Sequence, residues 1–149
     1  MADSMETQFE LTRVASLVRA GGYERVALQF PDELVGDSVA VSLAMSELVP
    51  ETKFFILADN TFASTDPDEV AAQHVQAQAI VLYGRASLNP SCRLPVIFVF
   101  GQLPVNVDNA VAAFGEQVGN ATAVLVLYDV IYAHAIRTRG SPGPALFFS

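Results

Sequence analysis

Cysteine is all but absent from this chain of 149 residues: Cys92 stands alone, so no internal disulfide can form and no set of thiolates is present for a zinc or iron–sulfur site held by the chain itself. Lysine is equally scarce. Lys53 is the only one, and it opens an apolar run instead of closing one, so the strand-end lysine of a phosphoacceptor domain is missing. Charged residues make up 16%, against about 25% in ordinary soluble domains. Eight basic against sixteen acidic residues leave a net charge of -8, which argues against a binder of phosphate backbones and against nucleic acid as a partner. No apolar run reaches the roughly 18 residues of a membrane helix, and MADSMETQFE is acidic and polar, unlike a signal peptide. A cytoplasmic protein without a membrane contact is expected. The nucleotide fingerprints are missing too: QFPDELVGDS lacks G-x-G-x-x-G, and G-x-x-x-x-G-K-[ST] occurs nowhere. Ser64 and Ser87 lie outside any G-x-S-x-G.

What is abundant is apolar surface. The apolar fraction is 52% and the mean hydropathy +0.37, more than the surface of one domain of this length readily carries. The excess predicts an interface, with a partner subunit or with further chain.

Along the chain, FELTRVASLVRA from Phe9 to Ala20 places its apolar residues at helical spacing, and Gly21-Gly22 supplies a stop. RVALQF (Arg25–Phe30) is a short apolar run closed by Pro31, as a buried strand is. Asp37 reads as a cap for the helix SVAVSLAMSEL, which Pro50 closes. KFFILA (Lys53–Ala58) is a second strand, and Thr65 or Asp66 can cap a helix over Pro67–Val75. AIVLY (Ala79–Tyr83), PVIFVF (Pro95–Phe100) and AVLVLY (Ala123–Tyr128) read as further strands, and Val105–Val118 and Val130–Arg137 as helices. Such alternation predicts an α/β fold: an open, mainly parallel sheet of four to five strands with helices on both faces, Rossmann-like. Residues 1–8 are expected to be disordered, 9–137 to form the domain, and TRGSPGPALFFS, with its glycines and prolines, to leave 138–149 as an irregular tail at a truncated or alternative end.

Ligands of open α/β sheets bind beyond the carboxyl ends of the strands. Those ends carry Asp32, Asp59 and Asp129, hard oxygen donors suited to magnesium, so a magnesium-dependent enzyme or phosphate-binding module is one reading. Solvated turn residues and helix caps are the other. His74 and His134 read as helix histidines, packed or at the surface, and Cys92, before an apolar strand, as a buried inert thiol.

Three linked blocks, VALQFPDELVGDS, FILADNTFASTDPDEVAAQHVQAQAIVLYGRASLNP and RLPVIFVFGQLPV, resemble the N-terminal domain of the diphthamide synthase family, on its accessory-subunit side. The match runs roughly from residue 9 to 136. The resemblance implies a place in the first step of diphthamide biosynthesis. There a 4Fe-4S cluster cleaves S-adenosylmethionine, and a 3-amino-3-carboxypropyl group passes to a histidine of elongation factor 2. It further implies three similar domains, each giving one cysteine to the cluster, and in eukaryotes a heterodimer in which one subunit holds the essential cluster and the other supports it.

In the family the first loop reads close to D-T-T-Y-G-S-C-C-V-D-E. Here it runs from Asp59 to Glu69, and Thr65 and Asp66 stand where the cysteines belong. A later loop, H-Y-G-x-A-C-L-S-P in the family, has Leu82 for its histidine, Ser87 for its cysteine and Asn89 for its serine. Oxygen side chains are poor substitutes for thiolates around iron. The expectation is therefore a chain with no catalytic residue, no metal and no cofactor held alone. It would bind the catalytic subunit of diphthamide synthase and reach elongation factor 2 through that complex. Thr65, Asp66 and Ser87 are expected to serve structure or a partner. A non-functional product that folds poorly without further domains is the bland alternative.

Overall fold

The computed structural model describes residues 2–57, 65–87, 93–119, 122–123 and 125–137. Two compact units, Met1–Gly101 and Gln102–Ser149, divide the chain.

In the first unit, four strands form one sheet: β1 (Arg25–Gln29), β2 (Lys53–Leu57), β3 (Ala79–Tyr83) and β4 (Val96–Val99). All pairings are parallel and the order is β2-β1-β3-β4. The expected α/β architecture is thus present. The two central strands are covered on both sides, which is why they read as unbroken apolar runs with no polar alternation. Alternate residues divide between two cores. Val26, Leu28, Val81 and Tyr83 pack with α2 (Leu11–Gly21) and α3 (Ser38–Leu48) on one face. Ala27, Leu57 and Ile80 pack with Ala72 of α4 (Glu69–His74) on the other.

The glycine pair ends α2 as expected. Gly22 takes the left-handed conformation (φ 64°), its amide donates to Arg19 O at 3.0 Å, and the Tyr23 amide donates to Val18 O at 3.3 Å, which satisfies carbonyls the last turn would leave open.

Four expectations are corrected. Residues 2–9 form a helix, α1 (Ala2–Phe9), where disorder was expected, because Met5 and Phe9, four apart, bury on the core and supply the packing a short helix needs. Asp37 does not cap α3 through its side chain: a 3-10 turn, Asp32–Asp37, feeds into the helix, so Asp37 is already helical (φ -92°, ψ -8°) and its carboxylate is not aimed at the first amides. The cap of α4 is Asp68, whose Oδ1 accepts from Ala71 N at 2.8 Å, and neither Thr65 nor Asp66 takes that role.

The fourth correction lies in the second unit. It holds α5 (Val107–Val118), capped by Asn106 accepting from Asn109 N at 2.9 Å, and α6 (Ala133–Arg137) behind a 3-10 turn at Val130–Tyr132. The strand expected over Ala123–Tyr128 is not formed among the described residues. Leu125 and Leu127 are 81% and 86% exposed. An apolar run becomes a strand only where a neighbouring ladder takes up its amides and carbonyls, and these residues have no such pairing.

Candidate functional site

The strand order defines where a site can be. From β1 the chain moves to one side to make β2 and to the other to make β3, so the sheet's topological switch point lies at the carboxyl ends of β1 and β3. Around that point meet Pro31 after β1, the segment 65–68 ahead of α4, and Gly84–Ser87 after β3.

Gln29, the last residue of β1, sits between Leu57 of β2 and Leu82 of β3 in the sheet register and is 1% exposed. A buried amide must find partners, and both of its ends do. Nε2 donates to Asp66 O at 2.8 Å, and Oε1 accepts from Asp68 N at 2.8 Å. The segment so held then meets the loop after β3: Ser87 N donates to Thr65 O at 2.9 Å, and Ser87 Oγ donates to Asp66 Oδ1 in a short contact. The two motif loops are therefore joined, and the three positions at which the sequence resemblance expects cysteines lie together, bonded to one another through oxygen.

On the α2 and α3 side of the sheet lies a layer of three rings. Phe30 and Tyr83 stack at 4.5 Å with planes 6° apart, and Phe9 meets both edge-on, at 6.4 and 5.6 Å. Tyr83 is 1% exposed, and its hydroxyl has no hydrogen-bond partner among the described residues. Burial pushes its phenol well above the ordinary 10.0, and the nearby Arg13 cation only partly offsets this. The consequence for stability has a definite sign. Above about pH 10 the unfolded chain releases the Tyr83 proton while the folded chain keeps it, so stability falls as pH rises past that point. Tyr83→Phe should remove this component, flatten the alkaline decline in urea midpoints between pH 9 and 11.5, and raise stability at neutral pH by about 1 kcal/mol, because a buried donor without a partner costs that order. A Tyr83→Phe chain that declines as steeply as its parent would refute this account.

Asp32 is exposed on its 3-10 turn, Asp129 caps the turn at Val130 through Ile131 N at 3.3 Å, and Asp59 lies outside the described residues, as do Ser64, Asn89 and Cys92. Among the described residues no three of His, Cys, Asp and Glu gather as a metal site. His74 is exposed at the end of α4, and His134 Nδ1 lies 3.1 Å from Ile131 O within its own turn. Gln29 and Asp68 were missed by the motif reading. The available signal was a glutamine inside the apolar run RVALQF.

A parallel 2-1-3-4 sheet with the segment 65–68 joined to Ser87 over the switch point defines a Rossmann-like α/β domain, a shape that assigns no ligand by itself. Residues 30–141 match the model of the diphthamide synthesis protein family, and the chain belongs to that family. Relatives named 2-(3-amino-3-carboxypropyl)histidine synthase subunit 2 are 46% identical over 129 residues in Gallus gallus, 44% over 130 in Homo sapiens and 50% over 99 in Schizosaccharomyces pombe. These alignments take in 86%, 86% and 66% of this chain but 27%, 26% and 20% of the relatives, so the chain spans about a quarter of their length. In structure it is similar to Dph2 from Pyrococcus horikoshii, with a TM-score of 0.68, 19% identity, and coverage of 87% of this chain and 38% of that one. The same archaeal protein solved with a 4Fe-4S cluster matches with a TM-score of 0.60, also at 19% identity, over 74% and 32% of the two chains. At that identity the likeness is one of fold.

Whether the residues here suit such a cluster is decided by their donors. Thr65, Asp66 and Ser87 offer hydroxyl and carboxylate oxygen in place of thiolate, and the Ser87 proton is committed to Asp66. The set does not fit an iron–sulfur cluster.

Proposed function

We propose that this chain is an accessory component of the first step of diphthamide biosynthesis, the transfer of a 3-amino-3-carboxypropyl group from S-adenosylmethionine to a histidine of elongation factor 2. It acts in the cytoplasm by binding a catalytic partner subunit that carries the cluster, and it does not catalyse the transfer alone. The observation that carries this reading is the joining of Thr65, Asp66 and Ser87 by hydrogen bonds at the family's cysteine positions. Those positions are used to hold two loops together. Membership of the family and the name "subunit 2" of its relatives support a multi-subunit setting. The apolar surplus supports a partner surface: Val39 and Leu43, both 62% exposed on successive turns of α3, are available to one.

Two measurements test the reading together. Anaerobic incubation of the purified chain with iron and sulfide should give no cluster absorbance, and a stoichiometric cluster would overturn the assignment of Thr65, Asp66 and Ser87. The chain should also co-purify with the cysteine-bearing catalytic subunit at micromolar concentration; no association there would remove the accessory role.

A further inference from the structure

We infer that Gln29 is the positioning residue of the switch-point loops: its amide, read at both ends, sets the backbone at Asp66 and Asp68 and thereby brings Thr65 and Asp66 to Ser87. The inference goes beyond the accessory role and holds whether or not the chain has a partner.

Among the described residues, the segment's other cross-loop bonds come from Ser87. Asp66 and Ser87 are exposed, and a hydrogen bond between exposed side chains competes with water and fixes little by itself. Gln29 differs in kind. It lies on the central strand, buried, with its backbone in the ladders to both β2 and β3, so its side chain starts from the most constrained place in the sheet. One end of the amide needs a carbonyl and the other an N–H. Asp66 O and Asp68 N supply these two residues apart, which fixes both the position and the register of the segment. From there the consequences run in two directions. Asp68, held at its amide, turns its carboxylate to Ala71 N and starts α4. Thr65 and Asp66 are presented to the loop after β3, where Ser87 bonds to both. A single amide thus ties β1 to the loops that follow β2 and β3, and whatever binds over this end of the sheet meets a surface whose shape Gln29 sets.

Two substitutions separate this role from simple filling of space. Gln29→Met keeps the volume and removes both bonds. Gln29→Glu keeps the acceptor, but its second oxygen faces Asp66 O: when neutral, the carboxyl donates a proton to that carbonyl as the amide did, and when ionised it is repelled by it. Burial raises the pKa of such a carboxyl, so the substituted chain should hold the loops at low pH and release them as pH rises. Titratable or charged groups on the adjoining segments are Asp66, Asp68, Glu69 and Arg85, and the parent measured at each pH accounts for them.

The readout is amide exchange by NMR on the full chain, expressed as protection factors at pH near 5.5 and near 8. In Gln29→Met, protection of the Asp68 and Ser87 amides should fall about 5- to 10-fold, the size expected for loss of a hydrogen bond, while β1 and β3 amides keep theirs. Gln29→Glu should resemble the parent at the lower pH; at the higher it should lose protection at Ser87 as Gln29→Met does, while the Asp68 amide, still facing a carboxylate oxygen, stays better protected than in Gln29→Met. Protection within twofold of the parent in Gln29→Met would overturn the inference. If Gln29→Met also loses protection in the strands, the glutamate variant decides: a pH response no larger than the parent's would overturn the role.

Discussion

Phe30→Ala should cost this chain about 3–5 kcal/mol, because a ring 1% exposed is removed from a layer that cannot close over the space it leaves. The layer is built from three directions. Phe9 comes from the end of α1, Phe30 from just beyond β1, and Tyr83 from the end of β3, and the 4.5 Å stack of Phe30 on Tyr83 is its centre. Removing the Phe30 ring forfeits its own burial and roughly 0.5–1.5 kcal/mol of ring–ring contact. Against a total stability of about 5–15 kcal/mol for a domain of this size, such a loss is a large fraction. Urea denaturation of the full chain measures it. Phe30→Leu, which restores most of the volume, should recover more than half of the loss. A drop below about 1.5 kcal/mol for Phe30→Ala would mean that the rings are not packed as described.

Phe30 also marks where a sequence reading of this fold succeeds and where it stops. Runs such as RVALQF and AIVLY announce buried parallel strands because they are short, mostly apolar and without polar alternation, and β1 and β3 are where those runs place them. The run does not reveal that pairing ends at Gln29 and that Phe30 turns instead into a ring stack, since the same residue types serve both uses. AVLVLY carries the same signal as AIVLY, yet Leu125 and Leu127 are exposed and unpaired. Apolarity reports a tendency to be covered, and the ladder partner is a tertiary fact. The acids of TDPDE illustrate the same limit at the site. Thr65, Asp66 and Asp68 are all plausible caps by type, and the choice of Asp68 comes from Gln29, 39 positions away from it in sequence. The meeting of Asp66 with Ser87 likewise needs β2 and β3 to flank β1, an order no local pattern encodes.

The loop after β3 depends on a second feature that is legible only in part. A glycine after an apolar run signals a turn, but the demand on Gly84 is double. Its φ is +88°, and a Cβ placed there would lie 2.9 Å from Pro31 Cγ and 3.4 Å from Pro31 Cδ. Its amide donates to Val99 O at 2.8 Å, so the backbone cannot move off without breaking a contact to β4. Gly84→Ala should therefore cost about 1–2 kcal/mol for the left-handed backbone and about 1–3 kcal/mol for the crowding. The sum is about 2–5 kcal/mol. Gly22 provides the control: its φ is +64° and a Cβ there meets nothing within 4 Å, so Gly22→Ala should show the backbone cost alone. Crowding has a further signature. Pro31→Ala removes the atom that would be struck, so the double variant Pro31→Ala/Gly84→Ala should be less destabilised than the two single losses added together, by at least about 1 kcal/mol in denaturation midpoints converted to free energy. Strict additivity would show that Gly84 is required for its backbone alone. Coupling would show that Pro31 and Gly84 are fitted to each other across the switch point, which sets how closely the loop carrying Ser87 can approach the end of β1.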